Sequence, residues 1–417
     1  MSSRLRGPLR MEERMVNKDI KPKSAGLTCE QVHALCVGCG ACASIAGRTM
    51  SEDGHGFYRP PVEAVNEQCE KYCPVATLPT MYSDSHWGTS VSSYLGWAED
   101  SDVRRDGSSG GVITTCLCYL IDSGLVDAVM QVGPDIEEPL FSEVRFNITP
   151  EDVKACSGSR YVSCPALSRI AEAVDSGKRF AAVGKPCDIR ALRNLVDSDE
   201  RYVTAFPYLF SFFCAGLPSK DAARRLDAKL NPERKTVTSF RYRGNGWPGY
   251  ATEVFSDGSE SRMTYDDSWG KVLGRDLEGY CRFCFDGLGE YADISAGDAW
   301  HRLPSGKPDF AEHDGRNVIF GRTEKGDRLL RDIRDAGLLH LEEFGDWDYL
   351  RGIQARQFER KTTLAANLKV LHLMGRKTLT ADLKELRRYS KAFSLKERLV
   401  YAKGLLGRIE KGKISVP

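Results

Sequence analysis

The sequence predicts an α/β protein with a central mixed sheet and flanking helices, a small cysteine-rich N-terminal segment and a helical C-terminal extension. Three features of the chain predict this architecture. From about Ser92 to Thr323, short apolar runs alternate with helical stretches, which is typical of an α/β sheet. Residues 29–80 are rich in Cys, Gly and Pro and lack long apolar runs. After about Asp346 the pattern becomes helical and basic.

These changes divide the chain into four predicted segments. They are a flexible arm over 1–28, a metal-binding segment over 29–90, an α/β domain over 91–345 and a basic helical extension over 346–417. The arm is polar and has no periodic pattern. The second segment has too few apolar residues to bury a core unaided, so we expect bound metal to supply its folding energy.

Within the α/β domain, apolar runs bounded by turn residues predict individual strands. The predicted strands are Leu125–Val132, Arg179–Val183, Phe206–Phe213, Asn317–Thr323 and Leu338–Phe344. Helices are predicted from about residues 188 and 220 and between the last two strands. Since loops that follow strands carry the functional residues of α/β sheets, the loops 184–187 and 214–219 are candidate site loops.

Composition excludes several classes of function. Lys and Arg number 59 and Asp and Glu number 58, so no charge excess favours nucleic acid or an anionic membrane as a partner. No run of about 20 apolar residues predicts a transmembrane helix, and the N-terminus lacks the apolar core of a secretory signal. We therefore expect a cytoplasmic protein with reduced thiols. Fourteen cysteines are unusual in such a protein and indicate metal ligands.

The most specific pattern is Cys36-Val-Gly-Cys39-Gly-Ala-Cys42. Three thiols with two residues between each pair suit a cuboidal [4Fe–4S] cluster, as in ferredoxins. The bacterial ferredoxin run adds a Cys-Pro four residues after the third cysteine, but here Ala46-Gly47 stands at that place. The segment is therefore predicted to hold one cluster and to need a remote fourth ligand.

Cys73, which precedes Pro74, is the preferred fourth ligand, and Cys69 is the second candidate. Two alternatives to a cluster are a zinc site and inert thiols. Zinc sites usually combine paired Cys-x-x-Cys knuckles rather than a triple run, which favours the cluster.

A second candidate site involves Cys281-Arg-Phe-Cys284. Alone, this pair fits half a zinc knuckle, a redox-active pair or half of a cluster site. Cys187 and Cys214 follow adjacent predicted strands and could complete a four-cysteine site, although buried structural thiols are a common alternative. The remaining five cysteines are expected to be core thiols: Cys29, Cys116, Cys118, Cys156 and Cys164.

Taken together, the motifs resemble the coenzyme F420 hydrogenase/dehydrogenase β-subunit family, which includes 7-hydroxymethyl chlorophyll a reductase. The resemblance runs in order over residues 36–325. It rests on the cysteine run at 36–42, Ser108–Thr114, Ser157–Tyr161, Gly184–Cys187, Phe213–Gly216, Arg243–Gly249, Cys281–Cys284, Ala292–Trp300 and Val318–Thr323.

The resemblance implies FAD and one or two [4Fe–4S] clusters, with Cys187, Cys214, Cys281 and Cys284 as the ligands of the second cluster. The Ser-Gly loop before the apolar helix at 112 could receive the FAD pyrophosphate, although such a loop is more often an N-cap. The resemblance favours the cofactor interpretation. The residues that it assigns to the cofactor are Ser108, Ser109, Gly110, Gly111, Ser157, Ser159, Arg160, Tyr161 and Asp298.

The leading functional hypothesis is an oxidoreductase that passes electrons between [4Fe–4S] clusters and FAD to reduce or oxidise an organic substrate or a deazaflavin-type cofactor. Ferredoxin or a partner redox subunit would be the electron donor or acceptor, and the chain could form a homo-oligomer. The alternatives are a non-catalytic electron-transfer subunit of a larger complex and a zinc-stabilised binding module. No catalytic residue and no F420 pocket can be named from the residues.

Overall fold

The computed structural model describes residues 23–80, 83, 85–376 and 382–411, so most of the predicted arm lies outside the described residues. The strands are β1 (Ser51–Glu52), β2 (Tyr58–Arg59), β3 (Ser92–Ala98), β4 (Ala128–Pro134), β5 (Ser142–Asn147), β6 (Phe180–Gly184), β7 (Tyr208–Phe212), β8 (Val237–Arg241), β9 (Ala251–Phe255), β10 (Glu260–Met263), β11 (Ile294–Asp298), β12 (Asn317–Gly321) and β13 (Leu339–Glu343).

The α-helices are α1 (Cys29–Ala34), α2 (Ala41–Ile45), α3 (Ser101–Asp106), α4 (Val112–Asp122), α5 (Pro150–Ala155), α6 (Ile170–Asp175), α7 (Pro186–Val196), α8 (Glu200–Ala205), α9 (Lys220–Leu230), α10 (Glu324–Asp335), α11 (Trp347–Ile353), α12 (Ala355–Leu373), α13 (Leu383–Ser390) and α14 (Leu395–Glu410). Short 3₁₀ turns occur at Val62–Ala64, Glu67–Lys71, Leu273–Arg275 and Gly279–Arg282, and a π-helical turn at Asp266–Val272.

An eight-stranded mixed sheet lies at the centre, in the order β13-β3-β12-β11-β7-β6-β4-β5. Strands β11, β7, β6 and β4 pair in parallel, and antiparallel strands extend the sheet on both sides. The predicted mixed sheet with flanking helices is therefore confirmed. Parallel neighbours bring the loops that follow β6 and β7 to the same edge of the sheet.

Strand β4 begins at Ala128, three residues after the predicted start at Leu125. Gly124 adopts a φ of +66° and reverses the chain after α4. The N–H groups of Leu125 and Val126 then donate to the Leu120 carbonyl oxygen, which closes the C-terminus of the helix. The first three residues of the apolar run are thus used by the helix end and the turn.

Apolar clusters cover both faces of the sheet. On one face, α4 and α10 pack against β3, β4, β6, β7, β11, β12 and β13. On the other face, α6, α7 and α8 share a core with β4, β6 and β7 and with the cysteine-rich segment, which contributes Val37, Cys39 and Val75. This shared core explains how a segment with few apolar residues acquires a buried interior.

The C-terminal extension is helical, as predicted, and it packs on the α/β domain. Leu364 and Leu368 on α12 and Leu386 on α13 are buried in one cluster with Phe283 and Phe285, and α14 packs on the same cluster. Phe283 and Phe285 flank Cys284, so the extension is attached to a candidate site loop. In the described part of the chain, no helix combines the length and apolar character that crossing a membrane requires.

A buried carboxyl group makes stability depend on pH. Glu253, on β9, is fully buried, and its carboxyl group lies beside the Asp227 carboxylate. Burial and, next, the Asp227 carboxylate raise the pKa of Glu253 from 4.5 to about 8. Because the folded state holds this proton more tightly than the unfolded state, the free energy of unfolding falls as pH rises from 4.5 through about 8.

We expect Glu253→Gln to remove this part of the pH dependence, because an amide does not ionise. Chemical denaturation between about pH 4.5 and about pH 8 should show that the variant gains stability relative to the parent as pH rises. Glu137→Gln, at an exposed position, is the matched control and should follow the parent curve. Parallel curves for the parent and Glu253→Gln would show that another group governs the dependence.

Candidate functional site

Four of the predicted metal ligands line one small cavity, and we call Cys187, Cys214, Cys281 and Cys284 the second cysteine set. Cys187 lies in the first turn of α7, and Cys214 follows β7. The parallel pairing of β6 with β7 brings these two loops together. Cys281 and Cys284 arrive on the 3₁₀ turn at 279–282 and the residues just after it. The structure thus brings together all four thiols that the sequence singled out.

The surroundings of this set suit thiolate ligands. The backbone N–H of Leu217 donates to Cys281 Sγ at 3.3 Å, and the N–H of Gly216 acts to lower the pKa of Cys214. Burial nevertheless raises the pKa of Cys214. It also raises the pKa of Cys284, to about 11. Without metal the buried thiols therefore hold their protons, and a bound metal would replace those protons.

The C-terminal extension holds the loop that carries Cys214. From α12, Gln357 Nε2 and Arg360 Nη2 both donate to the Cys214 carbonyl oxygen at 3.0 Å. The Cys214 N–H donates to the Gly287 carbonyl oxygen at 2.9 Å. Glycine at 287 leaves room for this contact, because a Cβ there would stand 1.4 Å from Arg360 Nη2 and would displace that side chain. The extension is thus part of the support of the second cysteine set.

The other predicted ligands form the first cysteine set, which comprises Cys36, Cys39, Cys42 and Cys73. The run at 36–42 folds tightly because Gly38 and Gly40 adopt φ values of +66° and +89°. The Gly38 N–H donates to Cys36 Sγ at 3.3 Å. Burial and then the charge of Cys73 raise the pKa of Cys39 well above its usual value, which places these two thiols close together.

Both candidates for the fourth ligand lie near the run. The backbone N–H groups of Ala76 and Val75 act to lower the pKa of Cys73, although burial raises it to about 12. Cys69 lies beside Cys42, which acts to lower its pKa. Cys69 Sγ also contacts the Tyr72 hydroxyl at 3.6 Å. Cys73 lies close to Cys39, and Cys69, whose pKa is lowered to about 6, lies beside Cys42, so the structure keeps both as candidates for the fourth ligand.

The two cysteine sets are neighbours. Val37, inside the first run, lines the cavity of the second set. The Tyr280 hydroxyl donates to the Pro74 carbonyl oxygen at 3.2 Å. Burial, then Cys284, Cys187 and Cys73, raise the pKa of Tyr280 well above its usual value, so this ring lies between thiols of both sets.

The described residues contain no group of three or more His, Cys, Asp or Glu side chains arranged to hold a metal ion. A tetrahedral zinc ion would draw four sulfurs to about 2.3 Å from one centre. A cuboidal cluster places four irons between its cysteines and so keeps their sulfurs farther apart. Four thiols around a small cavity are the donor set that a [4Fe–4S] cluster takes.

A further cavity, which we call the large cavity, has a volume of about 320 Å³ and lies at the carboxyl ends of the parallel strands. It is lined by Val132, Val183, Phe213 and Gly297, which lie at or just beyond the ends of β4, β6, β7 and β11. This position is where α/β sheets bind ligands, and the volume lies in the range for small-molecule sites.

The structure places eight of the nine predicted cofactor residues in the lining of this cavity. They are Ser108, Ser109, Gly111, Ser157, Ser159, Arg160, Tyr161 and Asp298. Gly110 is absent from the lining because it packs against the sheet, where a Cβ would stand 2.7 Å from Asn317 Oδ1. The Ser159 N–H donates to Ser108 Oγ at 2.6 Å, so the two predicted loops are joined.

Several of the eight residues are engaged with other protein groups, and Arg160 and Asp298 form the strongest examples. Arg160 donates to Ser142 Oγ at 2.9 Å and to the Phe240 carbonyl oxygen at 3.0 Å. Asp298 accepts from Arg243 Nη2 and from Trp247 Nε1, both at 2.8 Å. These contacts indicate that Arg160 and Asp298 hold the cavity walls in place.

Sequence reasoning missed several residues of this cavity. Arg243 is buried, with its guanidinium 4.8 Å from the Tyr265 ring and 4.7 Å from the Trp300 ring. Asp188 and Asn317 also line the cavity, and one oxygen of each has no hydrogen-bond partner among the described residues. Such acceptors suit a ligand that carries N–H or O–H donors. The only sequence signal for Arg243 was its Gly/Pro-rich loop.

The five remaining cysteines do not all behave as predicted. Cys116 and Cys118 are buried on α4, as expected. Cys29 is exposed, because it begins the short surface helix α1, so its assignment to the core was wrong. Cys156 and Cys164 are buried but line the large cavity.

Comparison with known proteins gives the family. Residues 93–171 match the model described as coenzyme F420 hydrogenase/dehydrogenase, beta subunit N-term, and residues 177–346 match the corresponding C terminus. The chain belongs to the coenzyme F420 hydrogenase/dehydrogenase β-subunit family. The predicted resemblance is therefore confirmed, and the matched region includes most of the lining of the large cavity and all four thiols of the second cysteine set.

Relatives in this family are named as oxidoreductase subunits. The chain is 26% identical to the coenzyme F420 hydrogenase subunit beta of Methanococcus voltae over 261 residues, which cover 60% of the chain and 83% of that protein. It is 25% identical to an F(420)H(2) dehydrogenase subunit of Methanosarcina mazei over 321 residues, which cover 73% and 83%.

The match to the F420-dependent formate dehydrogenase 1 subunit beta of Methanococcus maripaludis is 27% over 249 residues, which cover 58% of the chain and 59% of that subunit. Among solved structures, a chain of the F420-reducing [NiFe] hydrogenase complex from Methanosarcina barkeri aligns with a TM-score of 0.49 and 18% identity, over 66% of this chain and 93% of that one. Membership of the β-subunit family supports a role in redox electron transfer.

Proposed function

We propose that this chain is an iron–sulfur flavoprotein oxidoreductase, in which the two cysteine sets hold [4Fe–4S] clusters and the large cavity holds FAD. One observation carries the proposal: Cys214 lines both the cavity of the second cysteine set and the large cavity. A metal site and a cofactor site that share a residue are suited to exchanging electrons with each other.

A continuous line of residues would lead toward the large cavity. It would begin at the first cysteine set, pass its neighbour Tyr280 and continue through the second cysteine set. Lys185 lies where this line meets the cavity, since it lines both the large cavity and the cavity of the second set. Its ammonium group donates to Asp188 Oδ2 at 2.7 Å. We infer that this buried pair fixes the loop between β6 and α7 and so positions Cys187 against the large cavity.

The large cavity fits FAD in three respects. The loop 108–111 precedes the N-terminus of α4, where free backbone N–H groups favour a pyrophosphate. Asp188 and Asn317 each carry an acceptor oxygen that lacks a hydrogen-bond partner in the described part of the chain, and aromatic rings from Tyr161, Phe213 and Trp269 line the walls. When bound, a flavin would exchange an electron pair with an organic substrate and single electrons with clusters.

The substrate is proposed to be an organic molecule or a deazaflavin-type cofactor, with ferredoxin or a partner redox subunit as the electron donor or acceptor. The second candidate function is a non-catalytic electron-transfer subunit. The names of the relatives favour it, since they are subunits of hydrogenase and dehydrogenase complexes. Turnover by the isolated chain with an artificial electron donor would support the enzyme, and its absence in a fully loaded protein would support the subunit.

The flavin assignment is tested by filling the cavity. Ser159 lines the cavity through a side chain that forms no hydrogen bond with the described residues. We expect Ser159→Trp to abolish flavin binding by steric exclusion and to leave the iron content unchanged. Flavin absorption and iron analysis of the anaerobically purified protein provide the measurement.

Ser256→Trp is the matched control, because Ser256 is exposed in the turn between β9 and β10 and lies outside the cavity. It should retain flavin and iron. If Ser159→Trp retained a full complement of flavin, the large cavity would not be the flavin site.

A further inference from the structure

A third cavity, of about 670 Å³, is strongly basic, and we call it the basic cavity. One wall comes from the 3₁₀ turns at 273–275 and 279–282, and the other comes from α12 and α14. Five arginines line it: Arg275, Arg282, Arg356, Arg360 and Arg408. It shares only Ala215 with the lining of the large cavity.

The described residues neutralise the positive charge of the basic cavity only in part. Glu359 is the single carboxylate in its lining, and the Tyr401 hydroxyl lies within hydrogen-bonding reach of it. Across residues 23–80, 83, 85–376 and 382–411, no carboxylate forms an ion pair with any of the five arginines. Burial lowers the pKa of Arg282, and the nearby charge of Arg408 lowers it further. Five guanidinium groups that repel one another favour the binding of an anion.

The location of the basic cavity gives the anion a role near the metal site. Cys281 lines this cavity as well as that of the second cysteine set. Helices α12 and α14 lie beyond residue 346, where the family match ends. The cavity is therefore formed jointly by the family domain and the extension of this particular chain.

We propose that the basic cavity binds a small polyanion that carries two or more phosphate groups. Guanidinium groups donate in pairs to phosphate oxygens, and several of them around one cavity suit several such groups. The volume also suits a compact ligand. An acidic protein surface, by contrast, would be expected to meet a flat or convex basic patch rather than a concave site between two elements. The proposal does not depend on the cluster and flavin assignments.

The test is calorimetric titration of the purified holoprotein with inorganic pyrophosphate at constant ionic strength. We expect one saturable site per chain. Arg356→Gln combined with Arg408→Gln should weaken binding about tenfold or more, because charge-assisted hydrogen bonds are lost. Both positions are exposed on the extension helices, so the variant is expected to fold and to keep its iron. Arg387→Gln, on α13 and outside the cavity, is the matched control and should bind like the parent.

Three outcomes would overturn the proposal. The first is the absence of saturable pyrophosphate binding, and the second is binding that survives in the double variant. The third is a protein that ignores pyrophosphate but binds a ferredoxin, with that binding lost in the double variant. The last result would assign the basic cavity to docking of an acidic partner.

Discussion

Replacing Cys284 with serine is expected to remove about four of about eight irons per chain, because a [4Fe–4S] cluster that loses one of its four thiolates is not retained. Cys39→Ser should remove the other four and leave the second set loaded. The reason is that Cys39 and Cys284 belong to separate groups of thiols in the structure. Iron and acid-labile sulfide analysis of both variants, purified anaerobically, provides the measurement.

Cys116→Ser is the matched control, since Cys116 is a fully buried thiol on α4, outside both cysteine sets. It should retain all the iron. If Cys284→Ser kept the iron and sulfide of the parent protein, the second cysteine set would not be a metal site. If Cys39→Ser emptied both sites, the two clusters would depend on each other for assembly rather than being independent.

Replacing Lys361 with methionine is expected to lower the free energy of unfolding by about 3–5 kcal/mol, because it leaves a buried carboxylate without its counter-ion. Lys361 Nζ lies 2.5 Å from Glu290 Oε1, and both side chains are at most 2% exposed. The pair joins α12 to the loop that follows Cys284. Loss of the pair should therefore also loosen the second cysteine set, which chemical denaturation combined with the rate of iron release to a chelator would measure.

Lys369→Met provides the control on the same helix, where Lys369 is exposed, and it should have little effect. The double variant Glu290→Gln with Lys361→Met should recover part of the stability, because neither charge of this pair then remains. A loss from Lys361→Met no larger than that from Lys369→Met would contradict the role assigned to the pair.

The parts of the fold that the sequence predicted are those with strong local signals. Strands β6 and β7 are short apolar runs followed by turn residues and helices, and both were located within two residues of their ends. Strand β11 was missed because Ile-Ser-Ala-Gly-Asp has a weak strand propensity. Its burial is imposed by pairing with β7 and β12, which lie far away in the sequence.

The candidate site likewise has a part that local sequence signals predicted and a part that they did not. Spacing predicted the run at Cys36–Cys42, because its residues lie close together in the sequence and glycines allow the tight fold. The approach of Cys281 and Cys284 to Cys187 depends on the whole sheet. The order of the predicted strands offered it as one alternative, and the family resemblance favoured it. The contact of Arg243 with Asp298 also joins distant segments, and no local pattern announces it. The spacing of the cysteines likewise gave no indication that α12 holds Cys214 in place.

The proposed function is tested most directly by the cofactor content of the protein purified without oxygen. We expect about eight irons, about eight acid-labile sulfides and one FAD per chain. Zinc in place of iron, with no labile sulfide, would contradict the assignment of both cysteine sets. Iron and sulfide without any flavin would contradict the assignment of the large cavity.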